Sequence, residues 1–113
     1  MKRISHLFLL FLLIAVTAGA APKALKEKLT SLQGIESVDT LSSDYFTEKY
    51  VVTVRQPLDH QHPEKGSFTQ RVVVSHVGYD RPTVLITEGY SGDYGLNPRY
   101  REELSGIFNT NMI

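Results

Sequence analysis

The sequence predicts an α/β fold in which antiparallel strands lead into a parallel sheet. Three observations predict it. Two strand-patterned runs, at 45–55 and 67–77, flank a turn-rich loop and read as a hairpin with a long connection. The run Val84-Leu85-Ile86 is apolar without alternation, the pattern of a strand buried on both faces in the middle of a sheet. A helix-patterned stretch then separates that run from a new apolar start at Met112-Ile113, which is the order of a parallel βαβ unit. The chain ends at that point, so the expectation is a parallel sheet that is cut short.

The first residues are expected to be an export signal. Lys2 and Arg3 form a basic start, Leu7 to Val16 is a short apolar run, and Ala18-Gly19-Ala20 offers small residues for cleavage. The cut is placed after Ala20, because a later one would leave Pro22 at the new N-terminus. The apolar run falls short of the roughly 20 residues that span a bilayer, so stable membrane insertion is not expected after cleavage. Residues 1–20 are thus a signal peptide, 21–44 an N-terminal helix and connector, and 45–113 the first part of a larger domain. The expected location is the periplasm or the exterior.

Each later element follows from its pattern. Leu25, Leu29 and Leu32 share one face of a helix from Pro22 to Gln33, with Gly34 as its stop. Gly34 to Asp44 is rich in Ser, Thr and Asp and reads as a polar connector. In the first strand Phe46, Tyr50, Val52 and Val54 share a face, with Glu48 interrupting it near the start. Phe68, Val72 and Val74 mark one side of the second strand. Gly78 to Pro82 is a tight turn, and Thr83 to Thr87 the third strand. Asn97 and Pro98 suit the cap and first turn of a helix carrying Tyr100, Leu104, Ile107 and Phe108.

Composition removes several function classes. There is no cysteine, which excludes disulfides, a thiolate nucleophile and a thiolate metal site. Twelve basic and twelve acidic residues, well mixed, give no basic face for nucleic acid. His60 and His62, beside Asp59 and Glu64, have the residue types of a metal site. They lie in a proline-bearing loop without a further ligand set, and a solvated loop fixed by Asp59 bonding to its own backbone is the favoured reading. His76 at a strand end reads as structural. No metal or other cofactor is expected.

Several motifs in order resemble one family. They are Gln56-Pro57-Leu58-Asp59-His60, then Gly66-Ser67-Phe68-Thr69-Gln70-Arg71-Val72, then Arg81-Pro82-Thr83 leading to Thr87-Glu88-Gly89-Tyr90. Together they resemble the N-terminal region of the secreted S37 serine peptidases, the prolyl tri- and tetrapeptidyl aminopeptidases. A related group of Pro-X carboxypeptidases and dipeptidyl peptidases shares the first two motifs. The resemblance covers about Tyr45 to Ile113. It implies an incomplete α/β-hydrolase fold, a Ser-Asp-His triad, and cleavage of peptides next to proline. In that fold the nucleophile stands in a Gly-x-Ser-x-Gly elbow after a later strand. This chain ends before the elbow, so none of the triad is expected in it.

The resemblance also implies the site residues. After the third strand of such a fold a backbone N–H faces the developing oxyanion. Gly89 makes the turn and the N–H of Tyr90 is the preferred donor; the alternative is a plain strand-to-loop turn. Glu88 is a weak candidate for binding a substrate's ammonium group, against a Glu that caps a helix or pairs with an Arg. Gly89-Tyr90-Ser91 begins like the elbow, but Asp93 stands where the second glycine belongs, which disfavours Ser91 as nucleophile. Arg71 is expected to pair with an acid on a neighbouring strand. Tyr79 and the tyrosines from Tyr90 to Tyr94 either line a proline pocket or cover the sheet end. The partner implied is a proline-containing peptide. Two other readings stand beside this one: a small exported β-rich module that binds a peptide or glycan, and a gene fragment without function.

Overall fold

Leu25 and Leu29 lie one helical turn apart, and the helix they define, α1 (Leu25–Thr30), packs on one face of a sheet. The computed structural model describes residues 24–87 and 91–113. The expected export signal, Pro22, Lys23 and the turn Glu88-Gly89-Tyr90 lie outside the described residues. Among those described, five strands form one mixed sheet: β1 (Ile35–Thr40), β2 (Glu48–Pro57), β3 (Ser67–His76), β4 (Thr83–Val84) and β5 (Asn111–Met112). Their order across the sheet is β1-β2-β3-β5-β4. All neighbours are antiparallel except β4 and β5, which are parallel and joined through α2 (Glu103–Phe108). The architecture is therefore α/β, with a hairpin leading into one parallel pair.

The β2–β3 hairpin is regular from Glu48↔His76 to Pro57↔Ser67. Strict alternation in β2 divides the sheet into two faces. Tyr50 and Val52 join Val38 in a small core, with Leu25, Leu29, Ile35, Val54 and Val74 packed around it. Lys49, Val51 and Thr53 point to the opposite face. At the hairpin's end Asp59 ties its own loop. Its carboxylate accepts from the Gln61 N–H (2.9 Å) and from Lys65 Nζ (2.9 Å). The Lys65 bond first, and the Gln61 amide second, hold the Asp59 carboxyl below its ordinary range. His62 and Glu64 pair with each other at the surface.

Four expectations require correction. The stretch Gly34–Asp44 is not a connector: it contains β1, paired with β2 from Ile35↔Val54 to Thr40↔Tyr50. A register shift between Ile35 and Ser37 is the reason the pattern hid it. The bulge brings Ile35 opposite Val54 and Val38 opposite Val52, so apolar residues three apart share a face and simple alternation fails. The helix also starts later than Asn97. Asn97 Oδ1 accepts from the Arg99 N–H (2.9 Å), a local turn that competes with a helix, and α2 begins at Glu103. Leu32, placed on the apolar helix face by spacing, lies past the end of α1 and is exposed.

The fourth correction concerns Val84-Leu85-Ile86. Among the described residues β4 stands at the sheet edge with β5 as its one strand neighbour, and Leu85 is 72 % exposed. An unbroken apolar run reports what a strand needs as cover, not what this chain supplies. Leu104, Ile107 and Phe108 on α2 are exposed in the same way.

One side chain fixes the turn between β3 and β4. Asn111 Oδ1 accepts from the N–H groups of Val77 (2.7 Å) and Gly78 (3.2 Å), and its Nδ2 donates to the carbonyls of Gly78 (2.9 Å) and Arg81 (3.0 Å). α2 delivers Asn111 through a left-handed Asn109 (φ 50°), after which the Thr110 N–H closes on the Ser105 carbonyl. Replacing Asn111 with Ala leaves four backbone groups without these partners. Local opening of the turn should become about 1.5–3 kcal/mol easier, read as roughly 10- to 100-fold faster hydrogen exchange at Val77 and Gly78. Asn111→Asp should not restore protection, because a carboxylate would face two carbonyl oxygens.

Tyr50 generates a pH dependence. Its hydroxyl donates to Glu48 Oε1 (2.7 Å) on the buried face, which gives the interrupting Glu48 a partner. Burial first, then the Glu48 hydrogen bond and charge, push the phenol up from 10.0 to about 12. The neutral form is thus favoured in the fold, and the unfolded chain loses this proton first. Stability from Tyr50 is intact below pH 10.0 and is lost as pH rises through about 12. Urea midpoints should show an alkaline decline in the parent chain over this range that Tyr50→Phe lacks.

Candidate functional site

The carboxyl ends of β4 and β5 lie side by side, because the two strands are parallel and neighbouring. The chain leaving β4 passes through Leu85, Ile86 and Thr87 and reaches the candidate turn Glu88-Gly89-Tyr90. Hydrogen bonds extend the parallel ladder past β4: the Ile113 N–H donates to the Val84 carbonyl (2.9 Å) and the Ile86 N–H to the Ile113 carbonyl (2.6 Å). The approach to the turn is therefore fixed by backbone pairing. In open α/β sheets the region beyond the carboxyl ends of parallel strands is where ligands bind.

From Asp93 onward the chain is braced on the sheet face opposite α1. It forms a 3₁₀ turn over Asp93–Leu96 and then runs to Asn97. Asp93 Oδ1 accepts from Arg71 Nη2 at 2.8 Å. Buried Gly95 lies against Val73: a Cβ built on Gly95 would stand 3.1 Å from Val73 Cγ2. Asn97 O accepts from Lys49 Nζ at 2.7 Å. Residues two apart in the returning chain meet residues two apart on β3, then Lys49, whose register partner is Ser75 on β3.

Lys49 is the least expected member of this set. The residue is 1 % exposed, and burial pushes its ammonium below the usual lysine value. The hydroxyls of Ser75, the register partner of Lys49, and of Thr110 are buried with no hydrogen-bond partner among the described residues. Asp44 adds a second tether, its N–H donating to the Pro98 carbonyl at 3.1 Å. These contacts leave a cleft of about 560 Å³ between the returning chain and the sheet. Residues 70–73 of β3, residues 85–87, Met112 and Ile113 line it from the sheet, and Gly95, Leu96 and Tyr100 from above.

Of the residues singled out from sequence, Glu88, Gly89 and Tyr90 lie outside the described residues. Ser91 is exposed, and its Oγ accepts from the Asp93 N–H at 3.4 Å, a turn contact. Arg71 has an acidic partner, but Asp93 comes from the 3₁₀ turn and not from a strand. Tyr94 stacks with Tyr100 (centroids 6.4 Å apart) beside the cleft. Tyr79 instead packs on His76 (4.7 Å) and lies under Lys28 Nζ, on the α1 side of the molecule. His76 is buried in that cluster. No three His, Asp or Glu residues come together in a metal-binding group among the described residues. Sequence reasoning missed Lys49, Gly95 and Asn111. A lysine opposite Val52 and Val54 in a strand pattern reads as solvent-facing, and a contact from position 49 to position 97 leaves no local trace.

Comparison with known proteins adds what geometry cannot. The family model described as PS-10 peptidase S37 matches residues 20–113. A prolyl tri/tetrapeptidyl aminopeptidase from Streptomyces mobaraensis is 38 % identical over 95 residues, 82 % of this chain and 19 % of the relative's length. The chain thus spans about a fifth of that curated relative. No solved structure matches. Among the described residues no helix is long and apolar enough to cross a membrane. The motif order from Gln56 to Tyr90 and the match over nearly all of residues 20–113 agree, and the chain belongs to the S37 peptidase family.

Proposed function

We propose that this chain is the N-terminal part of an exported serine aminopeptidase that releases short peptides next to proline. In this reading residues 1–20 direct export and the sheet opens an α/β-hydrolase domain. The Ser-Asp-His triad belongs to polypeptide beyond this chain, which is inactive alone. The observation that carries the reading is the 38 % identity to a prolyl aminopeptidase, within a family match over residues 20–113.

The geometry supports a specific part for this segment. Backbone pairing holds the entry to Glu88-Gly89-Tyr90, and the Arg71, Val73 and Lys49 contacts hold the exit. A turn clamped on both sides can present a backbone N–H at a fixed point, which is what stabilising an oxyanion requires. Glycine at 89 lets the backbone approach a reacting carbonyl. In this reading the Tyr90 N–H is the donor and Glu88 takes the substrate's ammonium group. The exposed Leu85, Leu104, Ile107 and Phe108 favour a part of a larger domain over a self-contained binding module.

Two measurements test this. The 113-residue chain should release nothing from proline-containing peptide reporters, whereas the longer enzyme that includes it should, with activity lost to a serine-directed reagent. Turnover by the isolated chain would refute the assignment. In the active enzyme, Tyr90→Pro removes the proposed donor N–H. It should lower kcat by roughly 10²- to 10³-fold with little change in KM. A wild-type kcat in that variant would remove Tyr90 from the oxyanion role.

A further inference from the structure

Three contacts hold residues 93–97 on the sheet, and they differ in kind. The Arg71–Asp93 pair is open to water, its side chains 62 % and 68 % exposed, and an ion pair so placed holds its partners weakly. Gly95 on Val73 is an apolar packing contact, without a donor to set direction. The bond from Lys49 Nζ to the Asn97 carbonyl is short (2.7 Å), charge-assisted and made by a residue almost wholly buried. The same carbonyl accepts from the Tyr100 N–H (3.1 Å), so Lys49 fixes the corner at which the chain leaves the 3₁₀ turn for α2.

Lys49 is poorly placed for stability. Strand register sets it in a row with Ser75 and Met112 across β2, β3 and β5. Among the described residues no carboxylate stands within ion-pair distance of it, and the Ser75 hydroxyl is buried without a partner. A buried ammonium without a counter-charge weakens a fold, and an apolar side chain of similar length would fill the place with less penalty. Asn97 is itself exposed, so its carbonyl can turn to water if the lysine is lost. What Lys49 provides is therefore direction for the chain above it, not cohesion for the sheet.

We propose that Lys49 is a positioning residue of the peptidase: its ammonium, acting through the Asn97 carbonyl, holds the chain from Asp93 to Asn97 in the geometry that turnover needs. It acts through the backbone and not on a reacting atom. The effect on turnover rests on the peptidase reading above; the effect on the chain does not. One side chain then carries both a penalty to the fold and a benefit to the reaction, and the two separate on substitution.

Lys49→Met tests this, because methionine keeps most of the apolar stem and removes the charge. The amides of Gly95, Asn97 and Tyr100 bond to the carbonyls of Gly92, Tyr94 and Asn97. In the variant of the full chain these three should exchange at least about tenfold faster, with protection in β2 and β3 kept. The urea midpoint should stay level or rise. In the longer enzyme that includes this chain, kcat on a proline-containing reporter should fall at least about tenfold while KM stays within about twofold. A lower midpoint, or protection lost from β2 and β3, would make Lys49 an ordinary structural residue and overturn the proposal. Unchanged exchange at the three amides, or a wild-type kcat, would overturn it as well. A parent enzyme without activity on such reporters would refute the peptidase reading and with it the effect on turnover, while the exchange result stands or falls by itself.

Discussion

The carboxamide of Asn111 is the constraint on which the rest of this structure depends. It has two donor hydrogens and one acceptor oxygen, and the β3–β4 turn uses all of them. Without that saturation, the turn from Val77 to Arg81 would have to satisfy its backbone from within, and β4 would have little to hold it beside β5. The two strands pair at Thr83↔Asn111 and Val84↔Met112, and two hydrogen bonds of Ile113 carry the ladder on to Ile86. So short a ladder is weak by itself. Saturating one buried amide converts it into a defined junction, because a half-satisfied amide in the same place would cost more than an apolar residue.

The two sheet faces divide the labour. The α1 face is a small apolar core around Val38, Tyr50 and Val52, with Glu48 sheltered by the Tyr50 hydroxyl. The opposite face carries directional contacts: an ion pair at Arg71, a close packing at Gly95 and a lysine–carbonyl bond at Lys49. Burying Lys49 is unfavourable for its charge, as its lowered pKa shows, and nothing in the apolar core requires it. Its use is positional, because a long side chain with a strong donor reaches Asn97 from the strand. A polar, directional face next to the β4 exit fixes the chain from Asp93 to Asn97 in place, where an oily one would allow sliding.

Much of this was legible in the sequence because the relevant physics is local. Period-two runs gave the β2–β3 hairpin to within a few residues, the leucine spacing gave a helix that ends at Thr30, short of the expected Gln33, and a helix between apolar starts gave the parallel pair. The family followed from motif order. What was not legible is non-local. The β1 bulge broke alternation by one residue, so Ile35 and Val38 looked unrelated. Asn97 matched a helix cap by identity, yet its side chain closes a local turn. Lys49 and Asn111 take their meaning from partners 48 and 33 or so positions away, which no window along the chain contains. The candidate turn itself was reached through the family resemblance and rests on that alone.

The three contacts made by residues 93, 95 and 97 on the sheet have a consequence for how this segment can vary. Adding or deleting one residue between Asp93 and Asn97 would rotate the 3₁₀ turn by about a third of a revolution, so the anchors before and after the change could not all keep their partners. Substitution at the intervening Tyr94 and Leu96 disturbs none of the anchors. The family should therefore show tolerance to exchange and intolerance to length change here, the reverse of ordinary surface loops.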